Sequence, residues 1–417
     1  MAHPDLKPSP ENYSGFFYGY VVVAVALFIM SLFWAIQYSF GIFFKPLINE
    51  FGWTRAMTSG AFSLCSIVHG LIAIVMGGLT DKFGARIVIT VSAFFVGLGC
   101  FLMSRVASLW QLYLFYGIIM GVGMGGSFVP LVSGVARWFI VRRNLMTGIV
   151  AAGTGTGALI GPPFANRLIG MFGWRNSYAI LACTVFVCVV LSAQFLRRDP
   201  AQVGQIAFGE KPCKQKNLDK GISGISLRSA VYSGLFWLFF ATGFCYGFCV
   251  FAVMVHIAPH AIETGISPAS AAKVLVTIGG LSIVGKILLG ATADIIGSRR
   301  ILIVGYVLMT SAFLFLVPAR LASNLYLIAS LFGFGYGGCT AAQPPIAAAL
   351  FGLRSHGLIF GAFGVSVTIG AALGPLLSGY LFDVTASYQL AFLLCAFISL
   401  SGMLLASLLK QTEVDCR

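Results

Sequence analysis

Gly77-Gly78-Leu79-Thr80-Asp81-Lys82-Phe83-Gly84-Ala85-Arg86 returns 213 residues further on as Gly290-Ala291-Thr292-Ala293-Asp294-Ile295-Ile296-Gly297-Ser298-Arg299, with the pattern Gly-x-x-x-Asp-x-x-Gly-x-Arg intact. The same offset carries Gly148 onto Gly361, Gly157 onto Gly370 and Gly161-Pro162 onto Gly374-Pro375. One spacing shared by four correspondences means that the chain is built twice.

The repeated unit is apolar. Hydrophobic residues fill 59% of the 417 positions and charged ones 9%, and mean hydropathy is +0.95, so water cannot be the solvent for most of the surface. Runs of the ~20 apolar residues that cross ~30 Å of hydrocarbon fall at about 17–44, 56–79, 85–104, 109–134, 145–170, 174–196, 229–258, 268–293, 300–318, 323–350, 357–382 and 387–409. The expected fold is all-α and integral to a lipid bilayer, with twelve transmembrane helices in two six-helix pseudo-repeats. Residues 1–196 form the first bundle, the polar stretch 197–228 is a cytoplasmic linker, and 229–417 form the second bundle. Inverted or tandem repeats in a membrane chain mark carriers whose halves rock about a central site.

Orientation follows from the basic residues, which are retained on the cytoplasmic side. With both termini and the linker cytoplasmic, that side holds 18 of the 26 Lys and Arg, the other side holds seven, and Lys286 is left inside the membrane. The net charge of +14 is thus spread over short loops at helix ends, which argues against nucleic acid as a partner. Residues 1–16 lack the basic-apolar-small order of a cleaved signal peptide. Most of the ten cysteines lie inside apolar runs and no Cys-x-x-Cys pair occurs, so buried packing suits them better than a disulfide or a metal site. No metal and no cofactor is expected, nor is an enzyme: there is no nucleophile–base pair, and Gly153-x-Gly155-x-Gly157 sits within a membrane helix rather than after a strand.

Gly77, Asp81, Gly84 and Arg86, with Gly290, Asp294, Gly297 and Arg299, are expected at the cytoplasmic turns between helices 2 and 3 and between helices 8 and 9, where their charges can pair across a closed face. These two turns resemble the signature of the major facilitator superfamily. Three further stretches are similar to the monocarboxylate transporter family, in a bacterial-type form related to the oxalate–formate antiporters: Phe17-Tyr18-Gly19-Tyr20-Val21, Tyr38-Ser39-Phe40-Gly41-Ile42-Phe43-Phe44-Lys45 and Arg137-Trp138-Phe139-Ile140-Val141-Arg142-Arg143. The resemblance implies a carrier of small carboxylates.

Lys286 is the leading candidate for substrate contact. It stands eight residues before Asp294, ~12 Å into the membrane at 1.5 Å per residue, while all twelve Asp and Glu fall at helix ends, loops or termini. A cation at that depth costs ~3 kcal/mol or more unless water or an anion meets it; where the protein supplies no anion, the substrate can. In the resembled family an arginine occupies this place, and in its animal members an aspartate stands four residues earlier and a lysine on helix 1. Here those positions read Lys286, Ser282 and Tyr38, so a proton path resting on that aspartate does not transfer. Gln37, Tyr116, Tyr246, Tyr336 and Gln343 lie on helices that line the cavity in this superfamily. His69, ~18 Å before Asp81 along its helix, is with Lys286 the candidate for proton coupling. His256 and His260 are expected near the outer end of helix 7 in exposed interfacial positions, and His356 in a cytoplasmic loop without a role.

The reading is a secondary active transporter of lactate- or pyruvate-like monocarboxylates, a monomer in the plasma or inner membrane, taking its substrate together with a proton by alternating access. The alternatives are a carboxylate exchanger of the oxalate–formate type, which the missing membrane acid favours, and a metabolite sensor that binds without transport.

Overall fold

The computed structural model describes residues 16–210, 224–317 and 322–409. The expected cytoplasmic termini and residues 211–223 of the expected linker lie outside the described residues. The helices are α1 (Gly19–Phe51), α2 (Arg55–Phe83), α3 (Ala85–Met103), α4 (Leu109–Trp138), α5 (143–172), α6 (174–193), α7 (Gly234–Glu263), α8 (Pro268–Ile296), α9 (Ser298–Leu316), α10 (Ala322–Phe351), α11 (His356–Thr385) and α12 (Gln389–Leu408). α5 and α6 run as one 51-residue helical stretch, Arg143–Ala193. At 1.5 Å per residue that is about 75 Å, far more than a bilayer. Gly173 resolves it: with φ 73° and ψ 162° it breaks the helical geometry and starts a second crossing. α4 is also irregular, with π-helical turns over Tyr113–Met120 and a break at 125–128.

The described residues are 86% helical, and the two bridges among them fasten the ends of the linker. Phe208 pairs with Phe139 in the loop after α4, and Gly224 pairs with Gly352 in the loop after α10. Phe139 and Gly352 are again 213 positions apart, so the linker grips both halves at equivalent turns.

Two apolar cores form. One draws on α1–α6, where the Phe43 and Tyr178 rings stack at 3.9 Å; the other draws chiefly on α7–α12, where Phe239 stacks on Phe363 at 4.1 Å. Outside them, Ile67, Leu71, Leu191, Leu327, Leu376 and Phe397 are half or more exposed. A belt of that kind is unfavourable in water and suits acyl chains.

The halves meet chiefly through two helix pairs, α2 with α11 and α5 with α8. Glycines set the closeness: a Cβ on Gly77 would strike the backbone of Gly357, one on Gly361 would strike Ala73, and one on Gly148 would strike the carbonyl of Lys286. These contacts run from the end of the bundle that carries both motifs to Gly70–Thr368 on one seam and Gly155–Ile283 on the other. Further along α8, a Cβ on Gly279 or Gly280 would meet nothing within 4 Å. The seam is therefore tightly packed at the motif end and looser beyond it on the α8 side.

Candidate substrate site and inter-half gate

Three of the twelve helices supply their own N-terminal cap: Thr54, Ser233 and Ser267 accept from the N–H groups of Met57, Phe236 and Ser270. α5 and α11 have no such cap. The opposite half provides it. Asp294 at the end of α8 accepts from the Asn144 and Leu145 N–H groups (2.8 and 2.9 Å) and from the Asn144 side-chain amide (2.9 Å). Asp81 at the end of α2 accepts from the Gly357 and Leu358 N–H groups (3.1 and 2.9 Å). A carboxylate on an uncapped helix N-terminus gains from both the orphan donors and the positive end of the helix dipole. Asn144 and Gly357 are 213 apart, as are Asp81 and Asp294, so one device is used twice.

The rest of the motif stays within its own half. Gly84 and Gly297 adopt φ 84° and 96°, a region that side chains disfavour, and turn the chain into α3 and α9. Arg86 then donates to the Gln194 side chain beyond α6, and Arg299 to the Ala406 and Ser407 carbonyls at the end of α12. The repeat is not perfect. Arg137 in α4 pairs with Asp81 (3.2 Å) and Asp199 (3.4 Å) and reaches the Leu353 carbonyl, whereas Asp294 forms no ion pair among the described residues.

Lys286 is fully buried. Its ammonium donates to the Thr154 hydroxyl of α5 at 2.8 Å and lies 5.0 Å from the Tyr336 ring centre, a cation–π distance. Among the described residues no carboxylate is paired with it. Thr154 belongs to the first half and Lys286 to the second, so the cation rests on the seam just where the packing loosens. Thr154 was not singled out from the sequence: within Gly153-Thr154-Gly155-Thr156-Gly157 it reads as a packing residue.

Tyr336 stacks on Tyr246 at 6.0 Å, and the Tyr246 hydroxyl shares a 2.7 Å hydrogen bond with Thr340. Tyr38 is 40% exposed, and its ring lies 5.4 Å from Trp34. Ser282 is buried on the Lys286 helix but donates to its own helix carbonyl, Gly279 O, at 2.7 Å. Gln343 is buried with its amide nitrogen unpartnered. Gln37 and Tyr116 lie deeper in the first half. Gln37 accepts from the Cys65 thiol, and Tyr116 stacks on Phe40 at 4.2 Å with its hydroxyl unpartnered. His69 is half-buried and meets Trp34 edge-on at 6.0 Å.

Three expectations for histidines change. His260 is half-buried rather than exposed, its ring packed edge-on against Tyr388 at 5.8 Å and Phe392 at 4.9 Å. His356 is not a loop residue: it begins α11, is buried, and stacks on Phe360. Its Nε2–H donates to the Pro344 carbonyl at 2.9 Å, since a carbonyl only accepts, which leaves Nδ1 to accept from Ser133 of the first half at 3.0 Å. Its polar neighbours Arg354 and Ser355 suggested a loop, yet the repeat signals otherwise, because His356 falls 213 residues after Arg143 at the start of α5. His256 is half-buried rather than exposed, tying α7 to the Pro375 carbonyl at 2.9 Å and to Tyr388 at 3.2 Å.

A twelve-helix bundle with a duplicated aspartate cap between its halves and a buried cation on their seam fits a membrane transporter. The Major Facilitator Superfamily family model matches residues 23–281 and 260–415, and the chain belongs to that superfamily. Its relatives are monocarboxylate transporters. Monocarboxylate transporter 13 of Bos taurus is 27% identical over 387 residues, covering 92% of this chain and 88% of that protein. Monocarboxylate transporter 11 of Homo sapiens is 27% identical over 422 residues, covering 99% and 87%. Among solved structures, the human organic anion transporter MFSD10 superposes with TM-score 0.70 at 16% identity over 93% of this chain and 99% of its own. The E. coli fucose:proton symporter FucP gives 0.69 at 16% identity over 95% and 100%. At that identity the structural likeness concerns the fold.

Proposed function

We propose that this transporter carries small monocarboxylates such as lactate or pyruvate with a proton, by alternating access, as a monomer in a plasma or inner membrane with its motif end and termini at the cytoplasm. The observation that carries the reading is Lys286, a wholly buried amine whose one hydrogen-bond partner among the described residues is a neutral hydroxyl. A charge so placed gains most from an anion that comes and goes. The carboxylate displaces Thr154 as the acceptor and joins Lys286 between the halves, with Tyr336, Tyr38, Ser282 and Gln343 nearby to orient it. In this reading residues 1–196 and 229–417 are the rocking bodies and 197–228 joins them.

With no acid beside Lys286, proton and anion travel as one neutral unit. The amine takes its proton from the outside, the resulting ammonium meets the carboxylate, and both leave together on the other side, so that the emptied carrier returns uncharged. His69 is then dispensable. Closure at the motif end corresponds, on this topology, to a site open to the outside.

Uptake of labelled lactate, pyruvate, formate and oxalate into proteoliposomes, with and without an imposed pH gradient, tests this. Accumulation of the monocarboxylates driven by the gradient is expected, and is expected to persist in His69→Gln. Strict counterflow indifferent to pH would instead mark an exchanger. No flux of any carboxylate would remove the reading, and loss of accumulation in His69→Gln alone would move the proton to the histidine.

A further inference from the structure

The first turn of α11 holds a titratable side chain that spans the two halves. His356 is buried there, its Nε2–H donating to the Pro344 carbonyl of α10 at 2.9 Å and its Nδ1 accepting from the Ser133 hydroxyl of α4 at 3.0 Å. Ser133 belongs to the first half and His356 to the second. This pair of bonds suits the neutral ring: Nε2 carries the one proton, and Nδ1 keeps its lone pair for the hydroxyl.

The surroundings make no place for a second proton. His356 sits at the positive end of the α11 dipole. Arg137 of α4 and Arg143 of α5 both act on it as like charges, and Arg354, two residues before it, is exposed in the loop. α10 carries no charged residue. The acids of the gate are already engaged. Asp81 of α2 accepts from the Gly357 and Leu358 N–H groups and pairs with Arg137 at 3.2 Å, and Asp294 of α8 holds the first turn of α5. An imidazolium at this place is relieved only when the halves part and water reaches the ring.

We propose that His356 is a proton-operated latch on the motif end of the seam: neutral, it ties the halves shut through Ser133, and protonated, it drives them apart. With that end at the cytoplasm, as proposed above, an acid cytoplasm turns the empty carrier inward, poised to load and export acid. The latch needs neither Lys286 nor a bound carboxylate. Linkage sets its sign and size: a proton bound only by the open state raises the open-to-closed ratio as pH falls. For a free imidazole near pH 6.5, a step from about pH 7.5 to about pH 5.5 raises that ratio about tenfold.

The test reads conformation in the full chain without substrate. Spin labels carried on non-natural side chains at Lys82 and Ile295, both exposed on the motif turns, report the distance across the gate in nanodiscs. The long-distance population is expected to gain about tenfold on the short one across that pH step. His356→Gln offers an amide to both partners without titrating and should stay short at both pH values. Ser133→Ala removes a donor from the closed state alone, so its long-distance population should already be several-fold larger at the higher pH, with the response retained. An unchanged wild-type distribution would overturn the latch. So would a response that survives in His356→Gln, which would put the proton on another group such as Asp81 or His69. A Ser133→Ala baseline identical to the wild type would overturn it too, and decides the matter even where His356→Gln does not fold. No carboxylate is present, so these outcomes leave the reading of Lys286 to its own uptake assay.

Discussion

At the scale of single residues, the question is what Thr154 does for Lys286. If the hydroxyl is a resting place for the ammonium in the empty site, it competes with the incoming anion. Removing it should then tighten binding, because a hydrogen bond to a charged group is worth about 1.5–3 kcal/mol and is made only in the unliganded state. Thr154→Val is expected to lower the apparent dissociation constant for lactate about tenfold, read by substrate-induced change in Trp34 fluorescence. Weaker binding would make Thr154 a direct ligand. Lys286→Arg should keep part of the activity: it preserves the charge but brings a larger planar fork to the place of a compact amine that sits 2.8 Å from the Thr154 hydroxyl.

At the scale of elements, α5 and α11 begin with donors that only the other half satisfies. An aspartate cap replaced by alanine costs about 0.5–2 kcal/mol, which moves a closed–open equilibrium by a factor of about two to thirty. Asparagine still caps but gives up the charge, so its effect should separate the two gates. Asp81→Asn also breaks the 3.2 Å pair with Arg137, whereas Asp294 has no such pair to lose. Hydrogen exchange at the first turns of α11 and α5 reads this directly. Asp81→Ala should speed exchange around Gly357–Leu358, Asp294→Ala around Asn144–Leu145, and Asp81→Asn should exceed Asp294→Asn. Unchanged protection in both alanine variants would reduce these aspartates to marks of topology.

At the scale of the whole molecule, the crossings were legible because hydropathy and the 213-residue offset report the same thing twice. Their ends were less so. The first apolar run stops before Lys45-Pro46, yet α1 continues to Phe51, since Pro46 sits inside the helix and Lys45 can reach beyond the membrane. The depth of Lys286 was legible because Asp294 acts as a ruler on the same helix. What could not be read were contacts between distant segments: Asp81 on α11, 276 residues away, and Lys286 on Thr154, 132 away.

All of these scales converge on a carboxylate meeting one buried amine, and Lys286→Gln in proteoliposomes tests that most directly. The substitution removes an uncompensated charge, so the protein should insert and fold at least as well as the wild type. The account predicts that lactate counterflow falls to the level of empty liposomes while the protein remains monodisperse in detergent. Counterflow at the wild-type rate in Lys286→Gln would contradict it.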